Sequence, residues 1–130
     1  LGVERPKILA VTVLTSFDDQ GWQEVGGHLP IQEHVLELAS LAKSSGVDGV
    51  VASPKEAGSI REMAGKDDFL IVTPGIRPSF AQTDDQKRIA TPSQAFKDGS
   101  SMLVIGRPIT QAIDPCAAAR LILKEIKENA

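Results

Sequence analysis

Phe69-Leu70-Ile71-Val72-Thr73-Pro74-Gly75-Ile76-Arg77-Pro78 is an apolar, β-branched run that stops at Pro-Gly and then presents an arginine. A short continuous apolar run bounded by proline and glycine reads as a strand covered on both faces, the pattern of a parallel sheet. About fifteen loop residues follow, among them Asp84-Asp85-Gln86-Lys87-Arg88, before Thr91-Pro92 opens a helix; a connection that long in a compact domain is the mark of a lid or binding loop. One unit later the pattern recurs as Leu103-Val104-Ile105-Gly106-Arg107-Pro108. Two successive strands therefore end in a glycine with an arginine close behind, which suits an anion.

Working outward from there, the same alternation fills the chain. Toward the N-terminus, Lys7 to Thr15 is a nearly unbroken apolar run, again predicted to be a strand covered on both faces. Ser16 to His28 is a polar connection with room for a short helix. Ile31 to Ser45 is a predicted helix, because Val35, Leu36, Leu38, Ala39, Leu41 and Ala42 recur at three and four, and Gly46 ends it. Val47 to Ala52 is the second strand. Ser53-Pro54-Lys55-Glu56 then has the order of a helix start: a capping serine, proline at the first helical position and glutamate three after the cap. Gly65 closes that helix. Toward the C-terminus, Thr91-Pro92-Ser93-Gln94 repeats the capping logic for a short helix ending at Gly99. Met102 to Ile105 is the fourth strand, and Asp114-Pro115 starts a last helix through Ala117, Leu121, Ile122 and Ile126.

The order is βα repeated four times, which implies a parallel sheet with right-handed crossovers. Two architectures fit: an open doubly wound sheet, or half of a (β/α)8 barrel, since a whole barrel takes roughly 200 residues or more. The 130 residues read as one domain with a real core. A hydrophobic fraction of 42% argues against disorder, and a net charge of -3 without clustered Lys or Arg argues against a nucleic-acid surface. No apolar run approaches the roughly 20 residues of a membrane span. Nothing at the start resembles a signal peptide, and the single cysteine, Cys116, has no internal partner, so a cytoplasmic location is expected. The opening Leu1-Gly2-Val3 carries no methionine, as expected of a piece of something longer.

In either parallel architecture, ligands bind at the C-terminal ends of the strands. Those ends are Thr15-Ser16, Ala52-Ser53, Pro74 to Arg77 and Gly106-Arg107. Gly106 would let a ligand approach the backbone, a helical turn from Pro108 to Ala112 would offer free N–H groups, and Arg107 supplies a fork of donors. Arg77 taken alone reads as a solvated loop arginine, and Arg107, directly after Gly106 at a strand end, reads equally as ligand or loop residue; their joint occurrence favours a ligand for both. Thr15 by itself reads as a helix cap and Ser53 as an N-cap. His28 and His34 lack metal-ligand spacing, Cys116 is expected to pack, Trp22 to anchor, and Asp18-Asp19 and Asp84-Asp85 to be solvated turns. No Ser-His-Asp set, GxGxxG or P-loop is present, and neither a metal nor a cofactor is implied.

Four segments together resemble a known family: Leu9-Ala10-Val11-Thr12-Val13-Leu14-Thr15-Ser16, Asp48-Gly49-Val50-Val51-Ala52-Ser53, Val72-Thr73-Pro74-Gly75-Ile76-Arg77-Pro78 and Val104-Ile105-Gly106-Arg107-Pro108-Ile109-Thr110. In order and with family-like spacing, and with Asp85-Gln86-Lys87-Arg88-Ile89 before Thr91-Pro92, they resemble the C-terminal half of orotidine 5'-phosphate decarboxylase, from about Lys7 to about Lys124. The resemblance implies a (β/α)8 TIM barrel of which this chain, residues 1–130 as one domain, supplies a four-unit half barrel, strands five to eight. It implies substrate-binding roles for Thr15 at the pyrimidine, Arg77 and Arg107 at the phosphate, Gly106 in backbone approach and Gln86 closing over the ligand.

It also implies a reaction, decarboxylation of orotidine monophosphate to UMP without metal or cofactor, in which a lysine ammonium within a carboxylate network protonates C6. The family's Asp-x-Lys-x-x-Asp motif is absent. Asp85-Gln86-Lys87 is the only Asp-x-Lys, and Ala90 stands where the second aspartate belongs. No catalytic residue is therefore assigned within this chain, and the isolated chain is expected to be inactive. With two open sheet edges it is expected to form a homodimer or to pair with an N-terminal half. A related phosphate-binding barrel enzyme acting on sugar phosphates, as decarboxylase or epimerase, and a non-catalytic assembling fragment are the alternatives.

Overall fold

In the computed structural model, residues 2–65, 68–81 and 88–129 are described. The elements run β1 (Leu9–Val11), α1 (Asp19–Glu24), α2 (Ile31–Ser44), β2 (Gly49–Val51), α3 (Pro54–Ala64), β3 (Leu70–Thr73), α4 (Pro92–Lys97), β4 (Met102–Leu103), α5 (Arg107–Thr110) and α6 (Pro115–Asn129).

Local chemistry explains most boundaries. Ser53 caps α3, its hydroxyl accepting from the Lys55 N–H at 3.3 Å, and Thr91 caps α4 through the Gln94 N–H at 3.3 Å. The acidic pair Asp18-Asp19, expected to be solvated, caps two helices instead. Asp18 accepts from the Gly21 N–H at 2.9 Å at the start of α1, and Asp19 reaches across to the Ile31 N–H of α2 at 2.8 Å. The second contact supplies what Pro30, at the N-cap position of α2, lacks: a side-chain acceptor.

The four strands pair in parallel in the order β1-β2-β3-β4. A doubly wound sheet needs a reversal of strand order, which moves later helices to the opposite face. Here the order never reverses, and right-handed crossovers keep the helices on one face. The sheet is therefore a four-stranded half barrel. Its register makes two rows. Ala10 aligns with Val50 and Val50 with Ile71, and this row faces α2 and α3; Val50 and Ile71 are fully buried. Against it pack Val35, Ala39 and Ala42 of α2 and Ala57, Ile60 and Ala64 of α3. Each large aliphatic side chain so buried contributes about 1.5–3 kcal/mol.

The second row, Val11, Val51, Val72 and Met102, points the other way. At its ends Val11 is 60% and Met102 53% exposed. The expectation that the first strand is covered on both faces is thus not met within these residues, because the helices lie on one face only. The strands are also shorter than their apolar runs. Ladder bonds nonetheless continue past them, from Thr12 N–H to the Val51 carbonyl at 3.1 Å and from Val104 N–H to that of Thr73 at 2.9 Å. On the helix side of β4, α6 stands off and leaves an apolar groove of about 370 Å³ lined by Leu103, Ile105, Ile122 and Ile126. On α2, Leu41 is exposed rather than packed, and Cys116 at the start of α6 is exposed too. The interior side of α6 is set by Ala118 and Ile122, four residues apart.

Candidate functional site

The β3–β4 register decides where the two arginines stand. Thr73 pairs with Leu103, the last residue of each strand, and Arg77 and Arg107 each follow four residues beyond. Both therefore lie off the C-terminal end of the sheet, on adjacent strands. Arg77 is buried, not a solvated loop residue, at 7% exposure. Its N–H donates to the Ala90 carbonyl at 3.0 Å, and its guanidinium donates to the Ile76 carbonyl at 3.0 Å. Arg107 is half-buried and is the first residue of α5, after Gly106.

The turn after Gly106 offers an anion fewer amides than its sequence suggests. The Ile109 and Thr110 N–H groups both donate to the Gly106 carbonyl, at 2.9 and 3.0 Å, and Pro108 has no N–H. The charged group at this strand end is the Arg107 guanidinium. Gly106 itself is exposed, and a Cβ built there would meet no atom within 4 Å, so protein packing does not require glycine.

Thr15 follows β1 and is 4% exposed. It stands three strand spacings from Arg107, on the order of 14 Å along the sheet. The turn after β3 lies between them. Gly75 adopts φ +75°, which a side chain resists, and a Cβ there would lie 3.2 Å from both Thr15 Cγ2 and the Arg88 carbonyl oxygen. The structure thus brings Thr15, Gly75 and Arg88 into contact. Gln86, with Asp84-Asp85 and Lys87, lies outside the described residues.

Arg88 and Glu56 were not singled out by sequence. Arg88 is 6% and Glu56 3% exposed, and the two form a buried ion pair. The other arm of Arg88 donates to the Val13 and Leu14 carbonyls, at 3.2 and 3.1 Å, just before Thr15. Ser53, read only as a cap, also donates to the Arg88 carbonyl at 3.3 Å. Burial pushes the Glu56 carboxyl above its usual range, opposed by the Arg88 charge beside it. A cavity of about 320 Å³ opens beside the pair, bordered also by Asp18, Asp19 and Lys55. The one local signal was Glu56 three residues after a capping serine, which a capping box explains sufficiently; its partner is 32 residues away.

In the connection after Thr15, Trp22 anchors α1, stacking edge-on with Phe17 at 5.8 Å and tilted on His34 at 5.2 Å between ring centres. Among the described residues no group of three or more His, Cys, Asp or Glu side chains could hold a metal ion, and no helix is long and apolar enough to cross a membrane.

A singly wound parallel sheet with helices on one face and paired arginines beyond its strand ends places the protein in the (β/α) barrel class. Comparison with known proteins narrows this. The family model described as Orotidine 5'-phosphate decarboxylase / HUMPS family matches residues 2–122, and the chain belongs to that family. It is 60% identical over 125 residues to an orotidine 5'-phosphate decarboxylase of Geotalea daltonii, covering 96% of this chain and 52% of that protein. A relative of the same name from Geobacter sp. (strain M21) is 60% identical over 122 residues. The crystal structure of orotidine 5'-phosphate decarboxylase from Lactobacillus acidophilus superposes with a TM-score of 0.77 at 50% identity, covering 96% of this chain and 51% of that one. The chain spans about half the length of the curated relatives it matches.

Proposed function

We propose that this chain is the C-terminal, phosphate- and pyrimidine-binding half of an orotidine 5'-phosphate decarboxylase, contributing strands five to eight of the barrel. The observation that carries this reading is the shared register of Arg77 and Arg107, each four residues beyond the paired strand ends Thr73 and Leu103. Two guanidinium groups on adjacent strands suit a phosphate. Thr15, across the sheet beyond β1, suits the base, and a mononucleotide is the ligand that reaches both. Gln86 would close over it from the connection between them. The open space over Gly106 suits close approach of a phosphate.

In this reading the chain supplies remote binding energy, which the complete enzyme uses to lower the barrier at C6 of the pyrimidine. The lysine donor and its carboxylate network come from elsewhere, because no Asp-x-Lys-x-x-Asp occurs in these residues. The 130 residues alone should not decarboxylate orotidine monophosphate, and turnover by the purified chain would refute that part.

Calorimetric titration tests the binding part. The chain should bind UMP weakly and in preference to a pentose phosphate, as the sugar-phosphate alternative would not. Arg107→Ala should abolish that binding without unfolding the chain, and unchanged affinity would remove the phosphate assignment. The half-exposed row from Val11 to Met102 and the single-sided pairing of β1 and β4 support association, either with a second copy or with an N-terminal half. A stable monomer in sedimentation would count against the homodimer.

A further inference from the structure

We propose that Arg88 is a positioning residue of the nucleotide site, a pin that holds the Thr15 segment and the Gly75 turn in one register. The inference rests on the nucleotide reading above and adds to it a residue that touches no ligand. One guanidinium arm of Arg88 donates to the carbonyls of Val13 and Leu14, at 3.2 and 3.1 Å, and so fixes the main chain directly ahead of Thr15. The other arm pairs with Glu56 in the first turn of α3. The main chain of Arg88 makes contacts of its own. Its carbonyl accepts from Ser53 Oγ at 3.3 Å and lies where a Cβ on Gly75 would come within 3.2 Å. Two residues on, the Ala90 carbonyl accepts from the Arg77 N–H at 3.0 Å.

One residue thus spans the strand ends of β1, β2 and β3. Its side chain sets where Thr15 stands, and its backbone sets where the turn leading to Arg77 stands. A guanidinium is needed because only a planar fork serves a carboxylate and two carbonyls at once. Lysine would keep the charge opposite Glu56 and lose the carbonyl contacts.

The test compares Arg88→Lys, which retains the buried charge pair, with Arg88→Met/Glu56→Gln, which leaves no buried charge unpaired, so that at least one variant folds. UMP and inorganic phosphate are titrated into each, and the amide resonances of Thr15, Gly75, Phe69 and Gly99 are followed. UMP affinity should fall about tenfold in both variants, the scale of one displaced hydrogen-bonded contact, while phosphate affinity stays within about twofold. The Thr15 and Gly75 amides should shift, with those of Phe69 and Gly99 at the far end of the sheet unmoved. UMP binding equal to wild type, or equal shifts at both ends, would overturn the pin. Wild-type chain that fails to bind UMP would instead overturn the nucleotide reading, and the Thr15 and Gly75 resonances would still decide whether Arg88 positions them.

Discussion

Arg61 and Arg88 both reach across the sheet to main-chain carbonyl oxygens, Arg61 ahead of β3 and β4 and Arg88 beyond β1. The half-buried Arg61 donates to the Phe69 carbonyl at 3.0 Å, the Gly99 carbonyl at 3.3 Å and Ser101 Oγ at 2.9 Å, all neutral acceptors. Arg88 does comparable work in a buried setting and brings a carboxylate with it. Burying an ion pair is seldom the most stable solution, since desolvation offsets most of the attraction. The N-terminal end of the sheet is therefore tied for stability. The C-terminal end accepts a costlier device that fixes geometry, and that is the end where barrels of this class bind ligands.

This contrast can be broken by mutation. The largest effect should come from Arg88→Met, which strands Glu56: about 3–5 kcal/mol lost in chemical denaturation, a large share of a typical domain's stability. A loss under about 1 kcal/mol would show that Glu56 is protonated or solvated and the pair unimportant. Arg61→Ala should cost about 1–3 kcal/mol while leaving UMP affinity unchanged, because it touches only the far end. If it weakened UMP binding as much as the Arg88 variants, the division between the two ends would fail. Ser53→Ala removes the α3 cap and the bond to the Arg88 carbonyl, and should lower stability by about 1 kcal/mol.

The smallest effect, and the one with opposite signs at the two ends, is in pH. Asp48 at the foot of β2 is pulled from 3.8 to about 2 by the Ile8 N–H and by Arg5, which grips it at 2.8 and 3.1 Å. A depressed carboxyl stabilises the fold above its unfolded value and loses that contribution as pH falls through the folded one. The advantage of wild type over Asp48→Asn should thus shrink between about pH 4 and pH 2. Glu56 is raised, so its contribution runs the other way: wild type should gain on Glu56→Gln as pH falls. Urea midpoints across pH for both variants check this, and parallel profiles would contradict it.

Much of this was legible in the chain. Capping residues, proline at helix starts and apolar periodicity located α2, α3, α4 and α6, because those signals act within a few residues. The two glycine-arginine strand ends were visible for the same reason. Other features were hidden by distance along the chain. Asp19 capping α2 from α1, and Arg88 reaching Glu56 and the carbonyls ahead of Thr15, join residues whose own neighbourhoods suggest solvated turns or an ordinary capping box. The length of an apolar run likewise overstated each strand, since a strand extends only while a neighbour pairs with it.

By itself, the order of residues determined the four βα units and the arginines Arg77 and Arg107 that stand beyond the C-terminal end of the sheet. Only the tertiary structure decided that the strand order never reverses, so that α2 and α3 cover one face while Val11 and Met102, at the two ends of the opposite row, are left exposed. It alone revealed Arg88 as the link between Thr15 and the Gly75 turn. The reason is physical: periodicity and capping are local energies, whereas winding direction and a buried ion pair depend on which distant segments share the same space.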